Sequence, residues 1–186
     1  MVLTLGTGLG TGILCNGSLV RAGQHLHPEA GHMILNANDK TAVCGCGNLG
    51  CAEAYLSGLG FEKRFHLKYR LRSKSKSTVR LTGKEISALA HRGNPQALAA
   101  FKEYSEFMAA AIHNYVRMFC PQIIVLTGSF AEAADLFLPN TQNLLKKLLI
   151  RCKTSTHDLI PELRVSSLSN QAGLIGGAYV AMKRSS

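Results

Sequence analysis

Apolar residues fall into short runs at the start of the chain. Val2 to Leu5 is one run, stopped by Gly6, and Thr11 to Cys15 is a second. Asn16-Gly17 separates the second run from Ser18-Leu19-Val20, and both turn residues accept positive φ, so the pattern predicts a hairpin. The chain thus opens as a β-meander around a glycine-rich turn. Further on, Leu98, Phe101, Ser105, Met108, Ile112, Val116 and Phe119 recur at helical spacing and mark the inner stripe of a long helix. Asn94 caps that helix, Pro95 sits at its first position and Pro121 stops it. Thr82-Gly83-Lys84-Glu85 reads as a capping box that opens a shorter helix. Ala52 to Phe65 has helical character, interrupted by Gly58 and Gly60.

The second half alternates. Ile123 to Leu126 predicts a buried strand, followed by Gly128-Ser129 and a helix from about Phe130. A further helix covers about Asn140 to Arg151, Leu163 to Ser166 is a strand, and Gln171 to Met182 is a final helix. Ala172, Gly173, Gly176, Gly177 and Ala178 make that last helix small-faced and predict tight packing. Three strands, an insert and then α-β-α-β-α units match an α/β domain of the ribonuclease H-like type, the module of actin-like ATPases and hexokinase. One domain is expected over residues 1–186, with an irregular insert at 24–60 where Gly, His, Pro and Cys replace periodicity.

Composition narrows the classes. Hydrophobic residues make up 46% and charged residues 17%, an ordinary globular balance. No apolar run is long enough to span a bilayer. The opening MVLTLGTGLGTG has no basic flank and does not read as a signal peptide, so a cytoplasmic location without membrane partners is expected. The net charge of +10 is concentrated: nine Lys and Arg residues and no acid lie between Lys63 and Lys84. No helix-turn-helix or RNA-binding signature accompanies them, so a solvated loop between helices is favoured over a nucleic-acid patch.

Chemistry gathers in two places. The first is Gly6-Thr7-Gly8-Leu9-Gly10-Thr11-Gly12. Glycines let backbone N–H groups crowd around an anion, and Thr7 and Thr11 add hydroxyls. The segment lacks the Gly-Lys-Ser/Thr ending of a P-loop and the spacing of a dinucleotide fingerprint. A phosphate-binding turn between strands and a tight hairpin with a glycine bulge both fit. The second place is His32 with Cys44, Cys46 and Cys51. Three thiolates and an imidazole suit a closed tetrahedral Zn²⁺ site of structural type, and an insert with little apolar content is what a metal would staple. A closed site leaves no position for a hydrolytic water. The scattered Cys15, Cys120 and Cys152 are expected to be buried small apolar residues. Glu29 and Glu53 flank the metal ligands; acceptors for sugar hydroxyls, surface carboxylates and outer partners of the ligands all fit them.

Together, LGTGLGTGI, the Glu29-Ala30-Gly31-His32 segment, CGCGNLGCAE at 44–53 and YLSG at 55–58 resemble the ROK family of repressors and sugar kinases. The resemblance runs from about Val2 to Met182. It implies that Gly6, Thr7, Gly8, Gly10 and Thr11 bind ATP phosphates, with Gly128 and Ser129 near the nucleoside; the family has a glycine pair where Ser129 stands. It implies that Glu29, His32 and Glu53 contact a hexose or N-acetylhexosamine. His32 would use one ring nitrogen for the sugar and the other for zinc, which Cys44, Cys46 and Cys51 complete. ATP and Mg²⁺ would serve the parent kinase reaction.

The family also implies an N-terminal lobe carrying a first phosphate loop and an Asn-Asp pair, whose aspartate is the general base. Asp39, Asp135 and Asp158 stand in other contexts. The expectation is therefore a C-terminal lobe without its base, inactive alone, self-associating or waiting for a complementing lobe. The alternative is a non-catalytic zinc- and sugar-binding regulatory module.

Overall fold

The computed structural model describes residues 1–21, 23, 26–69, 80–150, 159–168 and 171–184. Its centre is a four-stranded sheet in the order β2-β1-β5-β6. β1 (Val2–Leu5) pairs antiparallel with β2 (Leu9–Gly12), with Val2 opposite Gly12 and Leu5 opposite Leu9. On its other edge β1 runs parallel to β5 (Ile123–Thr127), which runs parallel to β6 (Glu162–Val165). β3 (Leu14–Cys15) and β4 (Ser18–Leu19) form a separate hairpin. Asn16 and Gly17 both take positive φ at its turn, as the Asn-Gly pair predicts. The expected strand from Thr11 to Cys15 is thus two pieces, one in the sheet and one outside it.

The helices are α1 (Ala52–Leu56), α2 (Gly58–Lys68), α3 (Gly83–His91), α4 (Pro95–Phe119), α5 (Ala134–Ile150) and α6 (Ala172–Arg184). The capping box at Thr82 and Glu85 forms in full, and the Asn94 side chain accepts from the N–H groups of Gln96 and Ala97. The expected helix from Ala52 breaks at Ser57, which is extended and caps α2 by accepting from Gly60 N–H. Two expected helices merge into α5, which carries Pro139 within its run. Pro139 falls in the second turn of α5, where it has no N–H to give to the Asp135 carbonyl.

α4 is the backbone of the core. Phe101, Ser105, Met108, Ile112 and Val116 are buried as the spacing predicts, but Leu98 is exposed and the tyrosines 104 and 115 are buried instead. Each tyrosine hydroxyl reaches past the core to a carbonyl: Tyr104 to Leu56 and Tyr115 to Ala30, both at 2.9 Å. Phe61, Phe101, Tyr104, Phe130 and Phe137 interlock around the first of these. The long helix therefore grips both the end of α1 and the start of the 3₁₀ turn Ala30–His32.

Three expectations fail here. Cys15 and Cys120 are exposed, because Cys15 lies on the outlying hairpin and Cys120 is the left-handed cap of α4. Cys152 lies outside the described residues. The glycines of α6 meet no neighbour, and its apolar residues are largely exposed. Among the described residues no helix is long and apolar enough to cross a membrane. Of the basic segment, residues 70–79 lie outside the description; Arg64 and Lys68 are drawn into ion pairs.

Candidate functional site

Parallel strands open a crevice at their carboxyl ends, where their connections diverge. β1 ends in the turn Gly6-Thr7-Gly8, and β5 ends in Gly128-Ser129. Gly128 has φ of +92°, and a Cβ there would lie 2.5 Å from Leu5 O, so only glycine lets β5 pass this close to β1. Gly6, Thr7 and Ser129 line one groove of about 480 Å³ with Glu62, Lys84 and His91. Its floor includes Phe130, which belongs to the aromatic core. Gly8 faces away from the groove, towards Glu53. Gly10 and Thr11 lie within β2, and the Thr11 hydroxyl donates to Pro28 O at 3.1 Å. The glycine-rich segment is thus a three-residue turn followed by a strand.

The second centre connects to the turn through Glu53. Donor atoms of His32, Cys44, Cys46 and Cys51 all lie within 4.8 Å of one another. His32 Nδ1 is 3.5 Å from Cys44 Sγ, and the Cys46 and Cys51 sulfurs are 3.7 Å apart. A tetrahedron with zinc bond lengths has edges of about 3.8 Å between thiolates and about 3.6 Å between thiolate and imidazole. The four side chains fit a zinc ion. Backbone turns set them up: Gly47 and Gly50 take positive φ, Cys44 N–H donates to Asn48 O, and Cys51 bridges to Ile34. Burial pushes the Cys44 and Cys51 thiols up, whereas the Asn48 N–H pulls the exposed Cys46 thiol down. Buried sulfurs that resist ionising need a cation to become thiolates, and a divalent metal would supply it.

Glu53 stands between the two centres. Its Oε2 accepts from Leu9 N–H at 3.0 Å and its Oε1 accepts from Cys44 Sγ at 3.3 Å. Glu29 is well exposed, with an oxygen 3.2 Å from His27 Nε2. With Nδ1 turned to the cluster, His32 keeps Nε2 for another partner.

Several contributors carried no signal of their own in the sequence. Asp39, in the cysteine loop, pairs with the Arg64 guanidinium at 2.9 Å, and Arg64 also pairs with Glu103 at 2.6 Å. Arg64 stacks over Tyr55 at 4.6 Å, and Tyr55 hydroxyl donates to Asp39. This network fastens the loop to α2 and α4; within a run of cations, Arg64 was indistinguishable from its neighbours. Asp135 pairs with His91 at 2.7 Å on the surface. Asp158 lies outside the described residues.

The chain as a whole is similar to known proteins. The model of the ROK family matches residues 1–184. An N-acetyl-D-glucosamine kinase of Yersinia pseudotuberculosis is 29% identical over 189 aligned residues, covering 96% of this chain and 57% of that enzyme. A ROK hexokinase from Thermus thermophilus superposes with a TM-score of 0.79 at 25% identity, over 98% of this chain and 57% of that one. A ROK family glucokinase from Streptomyces griseus, solved with glucose and AMPPNP, gives 0.78 at 26% identity, over 96% of this chain and 59% of that one. The chain spans a little over half the length of the relatives it matches.

Proposed function

Because the chain belongs to the ROK family, we propose that its residues form the C-terminal, sugar- and metal-binding lobe of an ATP-dependent kinase for a hexose or N-acetylhexosamine. One observation carries this reading. Gly6 and Thr7 line the 480 Å³ groove, and Gly8 and Leu9 touch Glu53, which touches Cys44 of the cluster, so a nucleotide in the groove and a sugar beside the cluster would both border the turn. Thr7 would offer its backbone N–H to the phosphates, Gly6, whose own N–H donates to Gly8 O at 3.1 Å, would shape the turn, and Ser129 would border the nucleoside. Gly8, Gly10, Thr11 and Gly128 shape the strands that hold the turn, and Mg²⁺ accompanies ATP. His32 Nε2, Glu29 and Glu53 would bond sugar hydroxyls, Glu53 giving up part of its contact with Leu9 N–H or Cys44. Zinc held by His32, Cys44, Cys46 and Cys51 serves as a structural staple.

In the reaction a sugar hydroxyl oxygen attacks the γ-phosphorus, the bond to the β-phosphate oxygen breaks, and ADP leaves. The hydroxyl proton goes to a carboxylate base. Asp39 is committed to Arg64 and Asp135 to His91, so neither serves. The base belongs to the part of the kinase that these residues do not span, and the groove closes only when that part docks.

The test is a coupled ADP-release assay on the purified chain with MgATP and a panel of hexoses and N-acetylhexosamines, with zinc measured on the same sample. The expected result is about one zinc per chain and no sugar-dependent turnover. Turnover that Glu29→Ala abolishes would place a working base within these residues and overturn the reading.

A further inference from the structure

The four candidate metal ligands arrive as two pairs. His32 and Cys51 are stitched together by backbone: Ala52 N–H donates to Met33 O at 2.8 Å, Leu35 N–H donates to Gly50 O at 2.7 Å, and Ile34 bridges to Cys51. Tyr115 of α4 holds the same corner through Ala30 O. Cys44 and Cys46 stand instead at the tip of a narrow loop. Cys44 N–H donates to Asn48 O at 2.9 Å, Val43 bridges to Leu49, and Gly50 N–H donates to Ala42 O at 2.8 Å. The stem of that loop is fixed at Asp39. Its carbonyl accepts from Ala42 N–H at 3.1 Å, and its Oδ1 accepts from both the N–H and the hydroxyl of Thr41. Its Oδ2 lies 2.9 Å from the Arg64 guanidinium. Arg64 is itself closely held. Its side chain is 7% exposed, its guanidinium lies over the rings of Tyr55 and Phe107 at 4.6 and 5.1 Å, and its other terminal nitrogen bonds Glu103 of α4 at 2.6 Å. A planar fork with a carboxylate at each end has little freedom to move.

We infer that Arg64 is a positioning residue for the metal centre: through Asp39 it holds the loop of Cys44 and Cys46 against the half formed by His32 and Cys51, and so tightens metal binding. This rests on the proposed zinc role of the cluster. Ligands already in place need no ordering when the metal arrives, so affinity is the property that a loosened loop would change. The path is short, since Ala42, which Asp39 holds, is two residues from Cys44. None of the bonds along it uses a cysteine sulfur, so all of them persist once the thiols have given up their protons to bind metal.

The experiment titrates metal-stripped protein with Co²⁺, whose visible absorption reports thiolate ligation, and measures Zn²⁺ affinity by competition with a chelator. It compares wild type, Arg64→Lys, Asp39→Asn, the double variant and Lys68→Ala, at a temperature where each is folded by circular dichroism. Lysine keeps the charge but cannot reproduce the fork that bonds two carboxylates. Asparagine keeps an acceptor for Thr41 and loses the charge. Each single change should weaken metal binding by about tenfold, with a weaker Co²⁺ spectrum at equal metal. The double variant should be no weaker than the worse single one, because Arg64 acts through Asp39. Lys68 pairs with the same Glu103 at 2.6 Å but is half exposed and does not touch the loop, so Lys68→Ala should change affinity by less than about twofold. Wild-type affinity in both Arg64→Lys and Asp39→Asn, with lower Tm alone, would reduce the network to a structural brace and overturn the inference. Losses that add in the double variant would also overturn it, since Arg64 would then act by another route. Should Arg64→Lys not fold, Asp39→Asn against Lys68→Ala decides by the same criterion. A wild type that binds neither Co²⁺ nor Zn²⁺ brings down the metal reading itself, an outcome distinct from wild-type binding that the variants leave unchanged.

Discussion

At the scale of single residues, the site depends on positions where nothing larger than hydrogen fits. Gly31 sets the distance between the turn carrying His32 and strand β2, and a Cβ would collide with the Leu9 carbonyl. The two nearest atoms, the Leu9 carbonyl oxygen and carbon, are backbone and cannot rotate away. Gly31→Ala should therefore push His32 off the cluster and destabilise the fold by about 1–3 kcal/mol. The check is zinc content and thermal unfolding together: a lower Tm with reduced zinc is expected, and full zinc occupancy at an unchanged Tm would refute the packing argument. The cluster itself was legible in the sequence, because Cys44, Cys46, Cys51 and His32 have a spacing that few other uses demand. The engagement of Glu53 was not. A glutamate after a cysteine has no spacing that reveals which backbone amide it will meet across 44 residues of chain.

At the scale of elements, legibility follows the same division between local and long-range causes. The caps at Thr82 and Asn94, the Asn16-Gly17 turn and the 25-residue α4 depend on near neighbours, and the sequence predicts all of them. The break at Ser57 is local too, a cap on Gly60 N–H beside the interrupting glycines 58 and 60, whereas the merging of α5 depends on what packs beside it. So does the fastening of the cysteine loop, which has almost no apolar anchor and is held by Asp39 to Arg64 of α2 and thence to Glu103 of α4. Burial opposes the charge on Asp39, but hydrogen bonds from Thr41 and Arg64 and the guanidinium charge outweigh it and hold the carboxyl well below its usual 3.8. A carboxyl depressed in the folded state stabilises the protein above its unfolded pKa, and that contribution disappears as pH falls through the folded value. Asp39→Asn should cost roughly 1.5–3 kcal/mol at neutral pH. Chelated protein, free of acid-driven metal loss, should show a constant gap between wild type and variant from about pH 5 to 8. Below about pH 4 the gap should narrow. Denaturant unfolding across that range measures it, and a gap that does not change with acid would mean that the ion pair adds nothing.

At the scale of the molecule, one surface is out of keeping with a finished domain. Leu174 of α6 is 77% exposed, and Ile175 and Val180 are about half exposed. A Cβ on Gly173, Gly176 or Gly177 would meet open space. Small residues at this spacing allow close approach of a second surface, yet no described residue approaches them. An uncovered apolar helix is costly in water and marks a contact face. The chain spans 57% of a kinase to which it is similar, and an apolar partner surface is expected to cover this face. In its absence the same face should bind a second copy. Light scattering on the purified chain should give a mass above one chain, which Leu174→Lys combined with Val180→Lys should return to a monomer without lowering Tm. Adding the complementing lobe should replace the self-associated species with a one-to-one complex. A wild-type chain that scatters as a single monomer at every concentration would show that α6 tolerates water as it stands.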